Sequence, residues 1–427
     1  DSPQSFSFTI NITAELANYN FRLSGRSGLQ WKLESEAFNV VAGDAYLIQG
    51  QSNAVAGLPY DPDNVIDHAY RHHTSPFVRN FGLKTGSDTE MIWHREASSA
   101  RGDYDDNISG QWGLLLGKNI VDNYGIPVAI INGAVSGIAI DSLSPPNLRY
   151  NRFVERVDRS GLRDHLRAIL MFQGETNAGA AFYDSANKYF QKFQSLDNAW
   201  RQDFPALQQR YLFQIRPGAY WIGATLSTCL QIAEAHRRVA ELIPNWQIMS
   251  TTGMNHDSTH YFYPNGYERA GHDIYRLVAR DLYSAAPAAN IHPPTVDSLY
   301  FSHCNRQEIT LRLRHTADTY SWTPGWESDF LLEGSTAVTV TSGQVVDNTV
   351  VLQLSAAPGP NFSGLSYTAH PGGSAAPVKN ANGIGMLMFY KLPVSAYAFS
   401  ASTAATAANC FGAADGFDAV SPDELTC

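Results

Sequence analysis

The chain has 427 residues, of which 44% are hydrophobic and only 16% are charged, and its formal net charge is −10 at pH 7. Such a length predicts a globular protein of two or three domains. The acidic balance argues against nucleic acid and anionic membrane surfaces as partners, because both bind to basic patches. No apolar run is long enough for a membrane-spanning helix.

Residues 1–40 have the pattern of short β-strands. Apolar residues alternate with polar ones from Phe6 to Ile12, from Tyr19 to Leu23 and from Leu29 to Leu33. Alternation with a period of two, interrupted by turn residues, indicates antiparallel strands. We therefore expect an N-terminal β segment.

Residues 41–288 alternate between short apolar runs and longer helical patterns. Short β-rich runs joined by helical crossovers predict a parallel, doubly wound α/β sheet. The stretch from about 55 to 112 is polar and aromatic, and it indicates a loop-rich insertion beside a substrate cleft. The expected strands are Ala45–Ile48, Val128–Ile131, Ala168–Phe172, Arg210–Ile215 and Gln247–Ser250, and the expected helices are Gly113–Tyr124, Ser185–Arg201, Thr228–Leu242 and Gly266–Tyr283.

Beyond residue 288 the pattern returns to a period of two. Residues 295–400 predict a C-terminal β-sandwich. Residues 401–427 are expected to be a tail, in which Cys410 and Cys427 enclose a Gly/Asp/Ser-rich stretch. Such a tail favours a Cys410–Cys427 disulfide, and the remaining cysteines suggest a second, Cys229–Cys304. Two disulfides, together with a first residue that is not Met, predict a mature extracellular or periplasmic protein. Four free thiols in a cytosolic protein remain the alternative.

Polar and glycine-rich segments follow four of the predicted strands. Since parallel strands present their carboxyl ends at one edge of a sheet, these segments are expected to converge on one crevice. The segments are Gln49–Asn53, Asn132–Gly137, Gln173–Asn177 and Met254–His260.

Each segment supplies a residue type that acyl-transfer chemistry needs. Ser52 is a candidate nucleophile, His260 a candidate base, and Asp257, three residues earlier, a candidate acid that orients the imidazole. Backbone N–H groups of Ser52 and Gly137 are candidate oxyanion donors. A side-chain amide from the third segment would complete the oxyanion hole, with Gln173 and Asn177 as the alternatives.

Other polar residues of these segments have less specific roles. Gln51, Asn53 and Glu175 are candidates for orienting the site, although Glu175 is equally interpreted as a buried carboxylate with a structural partner. Several aromatic residues could stack on a sugar ring or simply anchor the core; these are Tyr60, Tyr70, Trp93, Trp112 and Trp221. No cysteine or histidine spacing indicates a metal site, and no cofactor is expected.

The four segments resemble the conserved blocks of the SGNH (GDSL-type) hydrolases, and more narrowly the sialate O-acetylesterase-like carbohydrate esterases. The resemblance covers roughly residues 40 to 288. It implies a flavodoxin-like three-layer α/β/α sandwich and the removal of acetyl groups from sugars by Ser52, His260 and Asp257, without metal. The implied substrate is an acetylated carbohydrate, either sialic acid or a plant, algal or bacterial polysaccharide.

Two other functions are consistent with parts of the sequence. Gly50–Ala54 nearly fits the nucleophile elbow of a lipase, so a general GDSL-type esterase acting on other short acyl esters is one alternative. A non-catalytic glycan-binding protein with a hydrolase-like core is the other. The Asp-x-x-His spacing of Asp257 and His260 argues against an α/β-hydrolase lipase, which supplies the two residues from separate loops.

Overall fold

The computed structural model describes residues 7–57, 74–84, 87, 89–95, 108–218, 220–286 and 288–397, except for the side chain of Trp221. The expectations for Tyr60, Tyr70 and the Cys410–Cys427 pair therefore lie outside the described residues. Among the described residues, no helix has both the length and the apolar character needed to span a membrane.

The central element is a seven-stranded mixed sheet. Its strands are β3 Asp44–Gly50, β4 Val78–Leu83, β5 Met91–Arg95, β6 Val128–Asn132, β7 Leu166–Phe172, β8 Gln209–Phe213 and β9 Trp246–Met249. Their order across the sheet is β5-β4-β6-β3-β7-β8-β9. Strand β3 runs parallel to both β6 and β7, whereas β4 and β5 pair antiparallel. All five predicted strands are present, so the α/β class is confirmed.

Strands β4 and β5 lie in the stretch from about 55 to 112, for which the sequence pattern predicted a loop-rich insertion. Residues Phe81 and Trp93 face each other across this antiparallel pair, with ring centroids 5.2 Å apart. The short β5 sequence, Met-Ile-Trp-His-Arg, does not alternate clearly between apolar and polar residues. Its strand character comes from pairing with β4 at the sheet edge rather than from its own pattern.

Seven α-helices are present among the described residues, and they include the four that the sequence predicted. They are α1 Ser52–Val55, α2 Gln111–Tyr124, α3 Leu148–Ser160, α4 Glu175–Ala178, α5 Ala186–Asp203, α6 Leu226–Leu242 and α7 Glu268–Leu282. Helix α3 was not predicted. Its ends follow capping rules, because the Asn147 side chain accepts a hydrogen bond from the Arg149 N–H and Gly161 ends the helix in a left-handed conformation.

The N-terminal segment contains one hairpin, made of β1 Tyr19–Ser27 and β2 Gln30–Val40. The expectation of a strand near Phe8 and Ile10 was wrong, since residues 7–18 contain none. The hairpin also leaves large apolar side chains exposed, with Leu29 at 89% and Trp31 at 67%. The alternation of apolar and polar residues in this segment therefore predicted the pairing of β1 with β2 correctly. It did not predict whether the apolar side chains would be buried.

The chain divides into two compact units. The first contains the described residues up to Gln173 together with Ser195–Tyr211 and His260–Ala286. The second contains Gly174–Gln194, Leu212–Thr259 and the described residues after 287.

The second unit holds the C-terminal strands, which are antiparallel as predicted. They form a four-stranded sheet β10-β11-β15-β14, a three-stranded sheet β13-β16-β18 and a β12-β17 pair. Their bounds are β10 Val296–Phe301, β11 Glu308–Leu313, β12 Tyr320–Trp322, β13 Phe330–Glu333, β14 Val340–Val346, β15 Thr349–Leu354, β16 Gly364–Tyr367, β17 Val378–Asn380 and β18 Phe389–Leu392.

The C-terminal strands share their apolar core with helix α6. Leu230 and Ala233 of this helix are buried in the same cluster as Leu311 and Val350. The buried Gln214 side chain adds a polar link within the unit, because its amide nitrogen donates to the carbonyl oxygens of Ala233 and Met388, each at 3.0 Å. Its amide oxygen accepts from the Met388 N–H at 2.8 Å. One side chain thus satisfies three buried backbone groups.

Replacing Gln214 by Ala should destabilise the protein by about 2–4 kcal/mol, because three backbone groups lose their partner inside the core. Chemical denaturation followed by tryptophan fluorescence measures this difference. Gln344→Ala, at an exposed position of β14, is the matched control and should change stability by less than about 0.5 kcal/mol. Equal effects of the two substitutions would contradict the role given to Gln214.

Candidate active site

The Ser52 turn begins where β3 meets β7. Gly50 has a φ of +144°, and a Cβ at this position would lie 2.1 Å from the carbonyl oxygen of Phe172. The next residue, Gln51, donates its N–H to that same oxygen at 3.0 Å. Only glycine allows this close approach of the two strand ends. Helix α1 then begins at Ser52, which is partly exposed between the buried residues Gln51 and Asn53.

Asn53, a predicted orienting residue, anchors this short helix from its buried side. Its side-chain oxygen accepts from the Tyr267 hydroxyl at 2.9 Å, and its carbonyl accepts from the Trp112 indole N–H at 2.9 Å. Asn132, at the end of β6, donates to the carbonyl of Ala54 at 2.9 Å. Trp112 is fully buried in this role, so it is a core anchor rather than a sugar-stacking residue.

Tyr267 and Asn132 support the serine turn, a role that was not predicted from the sequence. Asn132 carried a usable signal, because it is a polar residue at the buried carboxyl end of an apolar strand. Tyr267 carried no such signal in the sequence. It lies more than 200 positions from Asn53, in the irregular turns that precede helix α7.

The loop after β6 lies beside the serine turn. Gly133 donates its N–H to the Ile48 carbonyl at 2.9 Å, and Val135 donates to the Gly50 carbonyl at 3.0 Å. Gly137 follows in an exposed, left-handed conformation with a φ of +69°. Among the described residues other than its two chain neighbours, none has an atom within 4 Å of where a Cβ of Gly137 would be.

Gln173 links the serine turn to this loop. Its amide nitrogen donates to the carbonyl of Ile138 at 3.0 Å and to the side-chain oxygen of Gln51 at 3.3 Å. Gln173 and Gln51 are both buried. The structure thus brings together the predicted residues Gln51 and Gln173, and Gln173 also contacts the residue that follows Gly137.

The other third-segment residues belong to the second unit, where Asn177 is fully buried. Its amide nitrogen donates to a carboxylate oxygen of Asp184 at 2.8 Å. Burial opposes the ionisation of Asp184, but hydrogen bonds from Lys188 and Lys192 outweigh it and lower the pKa of the carboxyl group. Asn177 is therefore part of a buried charge network.

Glu175 is also buried, with 5% of its surface exposed. Burial raises the pKa of the Tyr189 hydroxyl, and the charge of Glu175 raises it further. Both residues lie in the second unit, in which Tyr189 also contacts His236 through a hydrogen bond of 3.2 Å.

The segment with Asp257 and His260 follows β9 and is held by local hydrogen bonds. Asp257 is exposed, and one of its carboxylate oxygens accepts from the Thr259 N–H at 2.8 Å. Ser258 has a φ of +87° and donates its N–H to Nδ1 of His256 at 2.9 Å. His260 is partly buried and belongs to the unit that contains Ser52.

His256 has a defined tautomer. Its Nδ1 must accept, because the Ser258 backbone can only donate, and its Nε2 must donate to the Gly373 carbonyl at 3.1 Å. Burial of the ring and the nearby Arg216 guanidinium lower the pKa of the imidazole to about 4. The neutral ring is therefore the form that the folded protein stabilises.

Cys229 corrects one expectation about covalent structure. It is a free thiol, buried in helix α6, and its sulfur lies 3.6 Å from the carbonyl of Gly218. Burial raises the pKa of this thiol to about 11. The predicted Cys229–Cys304 disulfide was therefore wrong. Within the described residues, no group of three or more His, Cys, Asp or Glu side chains is arranged to hold a metal ion.

The depressed pKa of His256 should make stability depend on pH. The unfolded chain binds this proton near pH 6.5 and the folded chain only near pH 4, so stability is complete above pH 6.5 and falls as the pH drops to 4. The expected loss is roughly 2 kcal/mol, less than the full shift implies, because the ring is partly exposed. Denaturation at pH 4.5 and 7.5 measures it.

In His256→Gln this part of the pH dependence should disappear, since glutamine does not titrate. The exposed His165→Gln is the matched control and should keep the wild-type profile. A His256→Gln profile that follows the wild type between pH 4 and 6.5 would contradict the assignment.

Comparison with known proteins agrees with the sequence motifs. The sequence model of a family described as carbohydrate esterase, sialic acid-specific acetylesterase, matches residues 42–276, which is more than half of the chain. No curated protein matches the sequence.

Several solved structures are similar to the chain. A carbohydrate acetylesterase from Xanthomonas citri is 18% identical, with a TM-score of 0.66, and the match covers 86% of this chain and 85% of that one. A protein from Arabidopsis thaliana is 16% identical with a TM-score of 0.43, covering 55% of this chain and 98% of its own. A carbohydrate acetylesterase from Sinorhizobium meliloti is 14% identical with a TM-score of 0.35, covering 56% and 99%.

The family match and the α/β sheet together confirm the resemblance to SGNH hydrolases that the four strand-end segments indicated. At these identities, the Xanthomonas citri structure supports the fold, and the family match supports the chemistry. The chain belongs to the sialic acid-specific acetylesterase family of carbohydrate esterases, and it is an esterase whose substrate is an acetylated carbohydrate.

Proposed function

We propose that the protein is a serine esterase that removes O-acetyl groups from carbohydrate through an acetyl-enzyme on Ser52. One observation carries this proposal: Ser52 is partly exposed at a strand end where its neighbours Gln51 and Asn53 are buried and hydrogen-bonded. A nucleophile on such a rigid turn keeps its position when substrate binds.

In the proposed first half-reaction, the Ser52 hydroxyl oxygen attacks the acetyl carbonyl carbon while His260 takes the hydroxyl proton. The negative oxygen of the tetrahedral intermediate accepts hydrogen bonds from the backbone N–H groups of Ser52 and Gly137. His260 then returns the proton to the sugar oxygen as the ester bond breaks. Asp257 accepts from the imidazole and stabilises its charged form.

In the second half-reaction, water attacks the acetyl-enzyme. His260 takes one proton from the water, and the tetrahedral intermediate collapses to acetic acid, which ionises to acetate in solution. The proton returns to the Ser52 oxygen, so the enzyme is regenerated without a metal or a cofactor in any step.

We propose Gln173 rather than Asn177 as the third oxyanion donor. Its amide nitrogen contacts residues on both sides of the proposed hole, Gln51 before the nucleophile and Ile138 after Gly137. The bond to Gln51, at 3.3 Å, is long, and a charge-assisted bond to an oxyanion is stronger. Asn177, in contrast, donates to a carboxylate within a buried charge network.

We propose further that the enzyme acts outside the cytoplasm, in the periplasm or the extracellular space, where polysaccharide substrates are found. The substrate would be an O-acetylated sialic acid or an acetylated plant, algal or bacterial polysaccharide. Acetate release from O-acetylated sialic acid and from acetylated xylan distinguishes the two classes of carbohydrate.

Ser52→Ala should lower kcat on acetylated substrate by roughly 10⁵-fold, because removing the nucleophile of a serine hydrolase abolishes the covalent pathway. Acetate release measures it, and 4-nitrophenyl acetate reports the acyl step. Ser298→Ala, at an exposed position of β10, is the matched control and should keep wild-type activity. Unchanged acetate release by Ser52→Ala would rule out the acetyl-enzyme.

Gln173→Ala should lower kcat by roughly 10²–10³-fold with little change in KM, as expected when one oxyanion donor is lost. Asn177→Ala should mainly reduce thermal stability, because it leaves Asp184 without one of its donors. Steady-state kinetics and thermal unfolding of both variants make the comparison. The reverse outcome, with kcat lost only in Asn177→Ala, would assign the third donor to Asn177.

A further inference from the structure

We propose that His256 is a positioning residue that sets the geometry between Asp257 and His260, by linking the catalytic loop, residues 254–260, to a support loop, residues 371–374, in the C-terminal region. This inference rests on the proposed roles of Asp257 and His260. The support loop and residues 254–259 of the catalytic loop lie in the second unit.

Ser258, which lies between the two proposed catalytic residues in the chain, has an unusual backbone conformation. Its φ of +87° is in the left-handed region that residues with a Cβ rarely adopt. Any other φ at this residue would rotate the chain on one side relative to the other, and would move the Asp257 side chain relative to His260. The geometry of the pair therefore depends on something that keeps Ser258 in this conformation.

His256 is in position to do this. Its Nδ1 accepts from the Ser258 N–H at 2.9 Å, although Ser258 itself is exposed and has little packing to hold it. Gly218 limits the loop on another side, because a Cβ at Gly218 would lie 2.0 Å from the Ser258 carbonyl oxygen. The strained residue is thus held by one hydrogen bond and one close backbone contact.

The imidazole is fixed in turn by the support loop. Its Nε2 donates to the Gly373 carbonyl at 3.1 Å, and the neighbouring Asn255 accepts from the Ser374 hydroxyl at 3.1 Å. Arg216 donates to the Pro371 carbonyl at 3.0 Å. Three hydrogen bonds therefore connect the support loop to residues at or near the catalytic loop.

The support loop is itself anchored within the C-terminal strands. Ala369 and His370, which precede it, both have positive φ angles, of 54° and 51°. His370 Nδ1 lies 3.3 Å from an Asp329 carboxylate oxygen, and its ring centroid is 3.9 Å from that of Trp326. This gives the C-terminal region a role in catalysis that does not require it to bind carbohydrate.

The charged and titratable groups that face His256 are Arg216, Asp257 and His370. Arg216 and His370 disfavour a positive charge on the ring, and Asp257 favours it. Protonation of His256 would convert Nδ1 from an acceptor into a donor and break the bond to the Ser258 N–H. The loop should therefore lose its geometry in acid independently of the protonation of His260.

The test measures kcat and KM on acetylated xylan at pH 7.5. Wild type is compared with the single variants His256→Ala, His256→Gln and Ser258→Gly, and with the double variant that carries both His256→Ala and Ser258→Gly. His256→Ala should lower kcat by roughly 10–100-fold with KM changed less than about threefold, as expected for a misplaced catalytic pair. His256→Gln should recover most of this loss, because its amide can accept from Ser258 and donate to Gly373.

The double-mutant comparison separates positioning from a general loss of structure. Glycine adopts a φ of +87° without strain, so the His256→Ala effect on kcat should be about tenfold smaller in the Ser258→Gly background. Below pH 4 the logarithm of kcat/KM should fall more steeply in wild type than in His256→Gln, by about one unit of slope, because the wild type takes up one more proton.

Full kcat in His256→Ala would overturn the proposal. So would an equal loss in both backgrounds, or an unchanged acid slope in His256→Gln. Ser52→Ala, measured in parallel, keeps the two proposals apart: an active Ser52→Ala refutes the acetyl-enzyme, whereas an inactive Ser52→Ala with a fully active His256→Ala refutes only the role of His256. If His256→Ala does not fold, the acid slope of His256→Gln still tests the proposal, because this variant is expected to fold and does not titrate at this position.

Discussion

The close approach of β3 and β7 at Gly50 is the constraint on which the site depends. A positive φ at Gly50 lets the chain turn against the Phe172 carbonyl, which accepts the N–H of Gln51. Any side chain at Gly50 would collide with that carbonyl. Because β3 lies between β6 and β7, the same turn brings Gly50 against the loop that contains Gly137 on one side and Gln51 against Gln173 on the other.

Around this turn, buried amide side chains form many of the hydrogen bonds that hold the loops, a role that backbone pairing has within the sheet. Asn53, Asn132 and Gln173 each bond a loop that a strand end alone would leave unsupported. Gln214 does the same in the second unit, between helix α6 and Met388, which precedes β18. Buried amides need partners, so each of them specifies one arrangement of the loops around it. Such a rigid frame is what an esterase needs to stabilise a short-lived oxyanion.

Much of the fold and the site could be predicted from local pattern. The strands Asp44–Gly50 and Leu166–Phe172 contain the continuous apolar runs Ala45–Ile48 and Ala168–Phe172, as parallel strands covered on both faces should. The polar segments that follow them therefore had to meet at one edge. Strand β5 and the burial of the N-terminal hairpin were not predictable in this way, because edge pairing and exposure depend on neighbours distant in sequence. The same holds for Cys229, whose surroundings, not its spacing, keep it a free thiol.

The sequence by itself determined the alternation of strands and helices, the position of Ser52 at a strand end, and the order of the four segments that identify the esterase family, because these depend on periodicity and on residue type. Only the tertiary structure decided what holds those segments. The hydrogen bonds that hold them join residues 35 to more than 200 positions apart in the chain. They are the bonds from Tyr267 to Asn53, from Gln173 to Ile138 and from His256 to Gly373. Hydrogen bonds at such separations leave no local pattern, since they depend on how the chain packs and not on which residues are adjacent.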